Sequence, residues 1–417
     1  MDELQHAQSI AYRDTWLVGG ARTPFADYNG TLRDVSATDL GIKAARAALG
    51  SAGVSPEAID AVVAASVAQT SFDAFYVARH IGLYAGVPVG VPALLVQRLC
   101  TSGFEAILQA ADQLALGKSR AVLCVGTESM SRNPIAAYTH RGGFKMGQVE
   151  FKDFLWEATL DTAPRLRMGD TAEELARRYQ ITRDDADQFA AQSFARALAA
   201  RERGFFDGEV VAVRSEKLER EGYAAREIRL PRKIEALERD EHPRPTPFES
   251  LKPLKPAFGG VQTGGNSSAI VDGAAAVVVA GRDCFTGNKG ARPLARIVAG
   301  ATVGVPPEIM GIGPAPAIRA VLAKAGLQLG DIDRFEINEA FAAQYLAVER
   351  ELGLDRERVN VNGGAIAIGH PLGATGVRCT LTLARELHNC RGRYGIATAC
   401  AGGGQGIAIL IENPDAA

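Results

Sequence analysis

TWLVGGARTPF (Thr15–Phe25), ATDLGIKAARAALGSAGVSPEAID (Ala37–Asp60) and AVVAASVAQ (Ala61–Gln69) are answered later in the chain by LARIVAGATVGV (Leu294–Val305), GPAPAIRAVLAKAGLQLGDID (Gly313–Asp333) and RFEINEAFAAQ (Arg334–Gln344). Each copy reads as a strand, a small-residue loop, an Ala-rich helix closed by an Ala-Gly stop, and an Ile-Asp pair before the next strand. The offset that sets Gly53 on Gly326 and Asp60 on Asp333 also carries CTSG (Cys100–Gly103) onto GATG (Gly373–Gly376). In both copies that tetrapeptide opens a helix rich in Ala and Leu. A repeat of this length exceeds a solenoid unit, so it marks a duplicated domain whose two similar halves pack together. Alternating strands and helices predict an α/β fold with a mostly parallel sheet covered by helices.

Between the copies the texture changes. Met168–Gly204 reads as two amphipathic helices, the second with an N-cap at Thr182 and Asp in its first turn. Arg214–Ser250 is dense in charge and ends in prolines. This is the pattern of an insertion carried on one half with much of its surface in water. The expected division is residues 1–129 and 250–285 for the N-terminal core half, 130–249 for the inserted loop domain, and 286–417 for the C-terminal core half.

The 417 residues are 47% hydrophobic and 23% charged, which fits a globular chain of two to three domains and excludes disorder as a description of the whole. A formal charge of -2 gives no global pull toward nucleic acid or an anionic membrane. Apolar stretches such as Ala274–Ala280 and Ile407–Ile411 fall far short of the roughly 20 residues a bilayer span needs. The start, MDELQHAQSI, is acidic and polar, and the end, NPDAA, carries no peroxisomal or retention tripeptide, so the expected location is cytoplasmic. Six Cys without CxxC spacing indicate neither a zinc ribbon nor a redox pair, and no metal is expected.

Four residues stand out by position. Cys100, in VQRLCTSGFEAI, lies where an apolar strand gives way to a helix, and unpaired N–H groups with the positive dipole end favour a thiolate there. The competing reading is a small buried hydrophobe. His370, in the glycine-dense NVNGGAIAIGHPLGATG, suits a general base aimed at a cleft, against the alternative of a satisfied loop His. Cys400, in GIATACAGGGQGIAILI, follows a strand and precedes a triple glycine; that GGGQG precedes a strand rather than a helix, so it is no dinucleotide fingerprint. Asn338, in FEINEAFAAQ, follows a strand and reads as an N-cap of the next helix. Cys124, Cys284, Cys379 and Cys390 read as structural. All four singled-out residues fall at the ends of strands, where sites of open α/β sheets gather. Two thiols and an imidazole around one cleft point to acyl transfer.

With these residues in hand, the chain resembles the thiolases, acetyl-CoA acetyltransferases and 3-ketoacyl-CoA thiolases, nearly end to end. The matching motifs are VGGARTPF, RLCTSGFEAI, GTESMS, MGDTAEELA, GNSSAIVDGAAAVVV, MGIGPAPAI, NEAFAAQ, NGGAIAIGHPLGATG and CAGGGQG. The resemblance implies a five-layered α-β-α-β-α sandwich of two duplicated halves with an inserted loop domain. It implies a ping-pong reaction in which Cys100, activated by His370, becomes acylated and Cys400 exchanges the α-proton of acetyl-CoA. It also implies two oxyanion holes, one from His370 and a water held by Asn338, the other from the N–H groups of Cys100 and Gly402. Ser268 and Arg244 match CoA contacts, and Met168 and Met310 match positions lining the acyl pocket. Coenzyme A and acyl-CoA enter as substrates, with no permanently bound cofactor, and a homodimer or homotetramer is implied. Gln97, Thr101 and Arg167 depart from the common pattern: the first two crowd the nucleophile turn, and Arg167 stands where many biosynthetic acetoacetyl-CoA members carry His. The substrate is then either acetoacetyl-CoA or a longer 3-ketoacyl-CoA. The rival readings are a thioester hydrolase, which needs no Cys400, a decarboxylating ketosynthase, which typically carries a second His that NEAFA does not supply, and a non-catalytic CoA- or lipid-binding protein on the same fold.

Overall fold

A computed structural model describes residues 6–68, 71–138, 140–285 and 292–416. The first five residues, Ala417 and the opening of the stretch assigned to the C-terminal half (286–291) lie outside the described residues. In chain order the N-terminal half supplies β1 (Trp16–Arg22), α1 (Ala37–Ala52), β2 (Ala61–Ala65), α2 (Val77–Tyr84), β3 (Ala93–Val96), α3 (Ser102–Ala115) and β4 (Ala121–Glu128). Then come α4 (Met168–Arg178), α5 (Arg183–Glu202) and β5 (Val271–Ala280). The second copy supplies β6 (Ala295–Gly304), α6 (Pro314–Ala325), β7 (Arg334–Ile337), α7 (Ala342–Leu352), α8 (Leu372–Cys390), β8 (Tyr394–Ala401) and β9 (Gln405–Glu412).

The repeat is visible in how equivalent residues are used. Gly53 and Gly326 end α1 and α6 in the left-handed conformation, φ 61° and 70°, which costs glycine nothing. Asp60 accepts the N–H groups of Arg120 and Ala121 at the start of β4, and Asp333 those of Arg393 and Tyr394 at the start of β8. The sheet order, β3-β2-β4-β5-β1-β6-β9-β8-β7, reads nearly the same from either end. The half-sheets meet where Trp16 and Leu17 pair with Arg296 and Ala295, and a short strand near the chain start, Gln8–Ala11, pairs antiparallel along β6 as well.

The sheet is mixed, not mostly parallel. β3-β2, β2-β4 and β7-β8 are parallel, and the other neighbours run antiparallel. The physical reason lies in the connections. AGGGQG is a tight turn, too short for the crossover that parallel pairing requires, so β8 and β9 form a hairpin.

Helices α3 and α8 pack against each other and against strands of both halves, so they form the middle layer. On β2, Val62 and Ala64 face an outer core with Leu40, Ala44 and Ile81, while Ala61, Val63 and Ala65 face the central one with Phe104 and Val377. This two-residue alternation with both faces buried is what a strand between helical layers requires. Helix α6 covers the far face of β6 and β9, with α7 beside it, which completes five layers. Among the described residues no helix is long and apolar enough to cross a membrane.

Residues between β4 and β5 carry α4, α5 and short two-stranded ribbons. Thr182 does cap α5, exchanging hydrogen bonds with Asp185 in a capping box. The stretch is fastened to β1 by Arg22, fully buried, which donates to Glu209 at 2.6 Å and to Asp240 at 2.6 and 2.9 Å. Removing one partner of such a network strands a buried charge, a loss of about 3–5 kcal/mol.

Candidate active site

Between β3 and α3 the chain makes a tight turn with Leu99 at φ 46°. That left-handed conformation costs a branched residue about 1–3 kcal/mol. It is held because Ser102 Oγ accepts from Arg98 N–H at 2.7 Å and donates to the Leu99 carbonyl at 2.7 Å, while Ser102 N–H bonds the same carbonyl at 3.0 Å. Cys100 therefore stands two positions ahead of the first residue of α3. Its sulfur receives its own N–H and that of Gly402, yet burial outweighs them and pushes the thiol up to about 11. This corrects the expectation of a thiolate favoured by the helix end: desolvation wins, and the sulfur needs a base. Gln97 is exposed, and Thr101 Oγ1 donates to the Arg98 carbonyl at 2.8 Å, a bond within the turn that carries Cys100.

His370 stands two positions ahead of α8, as Cys100 does ahead of α3. Its Nδ1 is 2.6 Å from Thr375 Oγ1, whose hydroxyl donates to the Pro371 carbonyl at 3.2 Å. Thr375 therefore accepts from Nδ1–H, and this tautomer leaves Nε2 as the acceptor nitrogen, the one that can take a proton. Burial, with the nearby Arg378 charge, holds the imidazole neutral, its pKa lowered to about 3. Two glycines bring the helix ends together. A Cβ on Gly103 would lie 2.6 Å from the Gly373 carbonyl and 2.8 and 2.9 Å from the amides of Val377 and Gly376.

Asn338 is not an N-cap. Phe341 occupies that place before α7. The backbone of Asn338 instead extends the sheet edge, its N–H bonding the Thr398 carbonyl at 3.0 Å, and Nδ2 reaches His370 Nε2 at 3.4 Å. Its Oδ1 is buried with no protein partner, an unmet acceptor of the kind that holds a water or a ligand.

Cys400 is fully buried at the next-to-last position of β8 rather than after the strand, paired with Gly406 across the hairpin. It packs with Met310 and Ala340, and with Met168 and Phe341 at the margin. Burial and then the charge of Cys100 push its thiol up, and a Cβ on Gly402, two residues past Cys400, would lie 3.0 Å from Leu99 Cδ1 beside Cys100, so the two cysteine loops, from opposite halves of the repeat, meet at one site. Met168 also lies against Gly402, where a Cβ would meet Sδ at 3.2 Å.

Ser268 is half-buried and bonds the Ala340 carbonyl through its N–H at 3.0 Å, while the next residue, Ala269, accepts from His370 N–H at 3.0 Å. Arg244 is exposed, stacked over Phe194 at 5.6 Å and bonded to the His242 carbonyl at 3.1 Å, with no contact to the cysteines. Arg167 lies 4.1 Å over Trp156 and donates to its carbonyl at 2.9 Å.

Two residues escaped the sequence reading. Thr375 sets the tautomer of His370, and the repeat held the clue, since the same offset maps it onto Ser102, the hydroxyl that holds the other helix start. Glu339 accepts from Ser193 Oγ at 2.7 Å, Asn360 Nδ2 at 2.8 Å and Ile366 N–H at 3.1 Å, pinning the loop that leads to His370. No sequence signal distinguished it from a surface Glu.

Comparison with known proteins agrees with this geometry. The family models for the thiolase N-terminal and C-terminal domains match residues 15–283 and 291–413. The mitochondrial 3-ketoacyl-CoA thiolase of Bos taurus is 45% identical over 405 residues, 96% of this chain and 98% of that one. Beta-ketothiolase BktB of Cupriavidus necator is 41% identical over 404 residues, covering 96% and 99%. The crystal structure of human mitochondrial 3-ketoacyl-CoA thiolase in complex with CoA superposes with a TM-score of 0.90 at 44% identity, over 96% of this chain and 98% of that one. Matched across both halves in sequence and fold, the chain belongs to the thiolase family, acyltransferases that cleave 3-ketoacyl-CoA with CoA and run the Claisen condensation in reverse.

Proposed function

We propose that Cys100 is the acyl-carrying nucleophile, His370 its base, Cys400 the acid and base at the α-carbon, and Asn338 and Gly402 parts of two oxyanion holes. The observation that carries this reading is the convergence on Cys100 Sγ of the Gly402 and Cys100 N–H groups beside the Cys400 sulfur. In the cleavage direction His370 Nε2 takes the Cys100 proton as Sγ attacks the 3-keto carbon. The tetrahedral oxyanion is met by the two N–H groups. The C2–C3 bond breaks, its electron pair passes to C2, and Cys400 protonates that carbon to release acetyl-CoA. The enolate oxygen is stabilised by Nε2–H of His370 and by a water bound at Asn338 Oδ1, the orphaned acceptor. The thiol of CoA then loses its proton to Cys400 and attacks the acyl-Cys100 thioester, and acyl-CoA departs. Water exclusion follows from burial of His370, Asn338 and Cys400. A hydrolase would leave Cys400 without a role.

CoA contacts at Ser268 and Arg244, and an acyl pocket lined by Met168 and Met310, belong to the same proposal. Ser268 is supported by its backbone tie to the Asn338 and His370 loops, and the two methionines by their packing on Cys400. Arg167 commits its guanidinium to Trp156 and Thr159, which supports a pocket open to chains longer than acetoacetyl. The division into core halves 1–129 with 250–285 and 286–417, with 130–249 inserted, is likewise proposed. So is self-association. β3 is the last strand of the sheet order, Leu94 and Leu95 on it are exposed, and Phe72 and Phe75 nearby are 101% and 70% exposed. Such an edge is the kind a second copy covers. Met146 and Phe151, also exposed, offer a surface for pairing dimers into a tetramer.

The test is turnover of acetoacetyl-CoA and of longer 3-ketoacyl-CoA with CoA, read as loss of the ketoacyl absorbance. Cys100→Ser is expected to form no acyl-enzyme. Cys400→Ala is expected to acylate from acetyl-CoA but not to condense. No turnover at any chain length refutes the proposal.

A further inference from the structure

The hairpin that carries Cys400 turns through Gly402, Gly403 and Gly404, the last two at φ 77° and 81°. A turn of three glycines has no side chain of its own to fix it, and glycine backbone is the most permissive there is. Its surroundings hold it instead. The Gly404 carbonyl accepts from Val305 N–H at 2.8 Å, and a Cβ on Gly402 would lie 3.0 Å from Leu99 Cδ1 and 3.2 Å from Met168 Sδ. A polar tie comes from Arg98, two residues before Cys100. Its Nη1 donates to Gln405 Oε1 at 2.7 Å, and its Nε to Glu105 Oε2 at 2.8 Å. Glu105 lies in the first turn of α3, and its other oxygen accepts from Gln109 Nε2 at 2.9 Å. Gln405 opens β9, pairing with Ala401 across the hairpin and with Gly304 of β6. The backbone of Arg98 is fixed as well: its N–H donates to Ser102 Oγ at 2.7 Å, and its carbonyl accepts from Thr101 N–H at 3.1 Å. Arg98 therefore joins two loops 307 residues apart, braced on α3 on one side and on the sheet on the other.

Resting on the proposed assignment of Cys100 as nucleophile with the Gly402 amide at its oxyanion, we infer that Arg98 and Gln405 form a positioning clamp: it fixes the hairpin turn against the nucleophile turn, so that the Gly402 N–H stays aimed at the tetrahedral oxyanion. The physical need is distance. The two N–H groups that meet the oxyanion belong to different loops, one from each half of the duplicated chain. Such a donor is effective within about 2.7–3.1 Å of the oxygen, so two soft turns must be held in register to a few tenths of an ångström. The planar guanidinium suits this task, because its fork holds Glu105 and Gln405 at a fixed angle, which an ammonium on a flexible stem does not. The clamp acts through the turn, not on the reacting atoms.

The experiment is single-turnover acylation of the full chain at saturating acetyl-CoA, followed as acetyl on the Cys100 peptide, with a thermal melt of each protein. The proteins are wild type, Arg98→Met, Gln405→Met, the two substitutions combined, and Gln405→Glu. Each single methionine substitution is expected to slow acylation about 10- to 30-fold, part of the loss seen when an oxyanion donor is removed outright. Tm is expected to stay within a few degrees of wild type. The combined variant is expected to lose no more than either single one, since both changes cut the same bond. Gln405→Glu keeps the acceptor and is expected to acylate within about two-fold of wild type. Single variants that match wild type, losses that multiply in the combined variant, or an equal loss in Gln405→Glu overturn the inference. A merely structural bond would lower Tm and leave the rate per folded molecule unchanged. If either methionine substitution fails to fold, the other and Gln405→Glu decide: loss in the first with retention in the second supports the clamp, and any other pairing refutes it. Acetyl found on another residue of the wild type defeats the nucleophile assignment and the clamp with it, whereas acetyl on Cys100 with unaffected variants defeats the clamp alone.

Discussion

Replacing Gly103 by Ala puts a methyl into the crossing of α3 and α8. The new Cβ would sit 2.6 Å from the Gly373 carbonyl, where ordinary contact begins at 3.4 Å, so the two helix starts must part by at least about 0.8 Å. Overpacking of this kind costs about 1–3 kcal/mol, which for a chain of this size lowers Tm by only a few degrees. The effect on rate is expected to be larger in proportion. Cys100 and His370 each stand two residues ahead of one of these helices, so parting the helices moves nucleophile from base. A misplacement near 1 Å costs up to about 100-fold. The assay is thiolysis kcat beside a thermal melt, with single-turnover acylation of Cys100 to isolate the first step. Gly50→Ala in α1 is the matched control, since its Cβ meets nothing within 4 Å, and it is expected to leave kcat unchanged and Tm equal or slightly raised. If Gly103→Ala acylates within about two-fold of wild type, the helix crossing is not what sets the geometry, and the argument from the repeat fails at its centre.

Asn338→Ala is expected to lower kcat by about 10²–10³ while leaving Tm near wild type, because it removes the acceptor that would hold the oxyanion-hole water and whose Oδ1 makes no protein hydrogen bond; a large Tm loss with a preserved rate per folded molecule would contradict this. For pH, the folded pKa of His370 lies below its ordinary 6.5, at about 3. The unfolded chain therefore binds the extra proton first, so the stability from keeping His370 neutral is complete above pH 6.5 and is lost as pH falls toward 3. From pH 6.5 to 5 this amounts to about 2 kcal/mol, and His370→Gln is expected to show a shallower decline of chemical-denaturation stability over that window. Equal slopes would refute it.

Much of this protein was legible in its residues. The repeat exposed the duplication, and its paired Gly53/Gly326 and Asp60/Asp333 do the same work in both halves. The helices between β4 and β5 followed from apolar spacing and the Thr182 cap, and Cys100, His370 and Cys400 from their seats at strand ends and turns. These are local properties: periodicity, capping and turn chemistry act within a few residues and are written in order along the chain. What depends on contacts between distant segments was not readable. Strand direction hangs on where a connection returns, so the sheet proved mixed. The Asn338 side chain left its expected capping role because the His370 loop offered a partner 32 residues away. The Cys100 thiol is raised, not lowered, because desolvation is a property of everything that surrounds a group, whereas the helix end beside it is visible from sequence alone. Tertiary structure alone decided that Thr375 orients His370 and that burial outweighs the Gly402 N–H at Cys100 Sγ, since side-chain orientation and desolvation have no residue code.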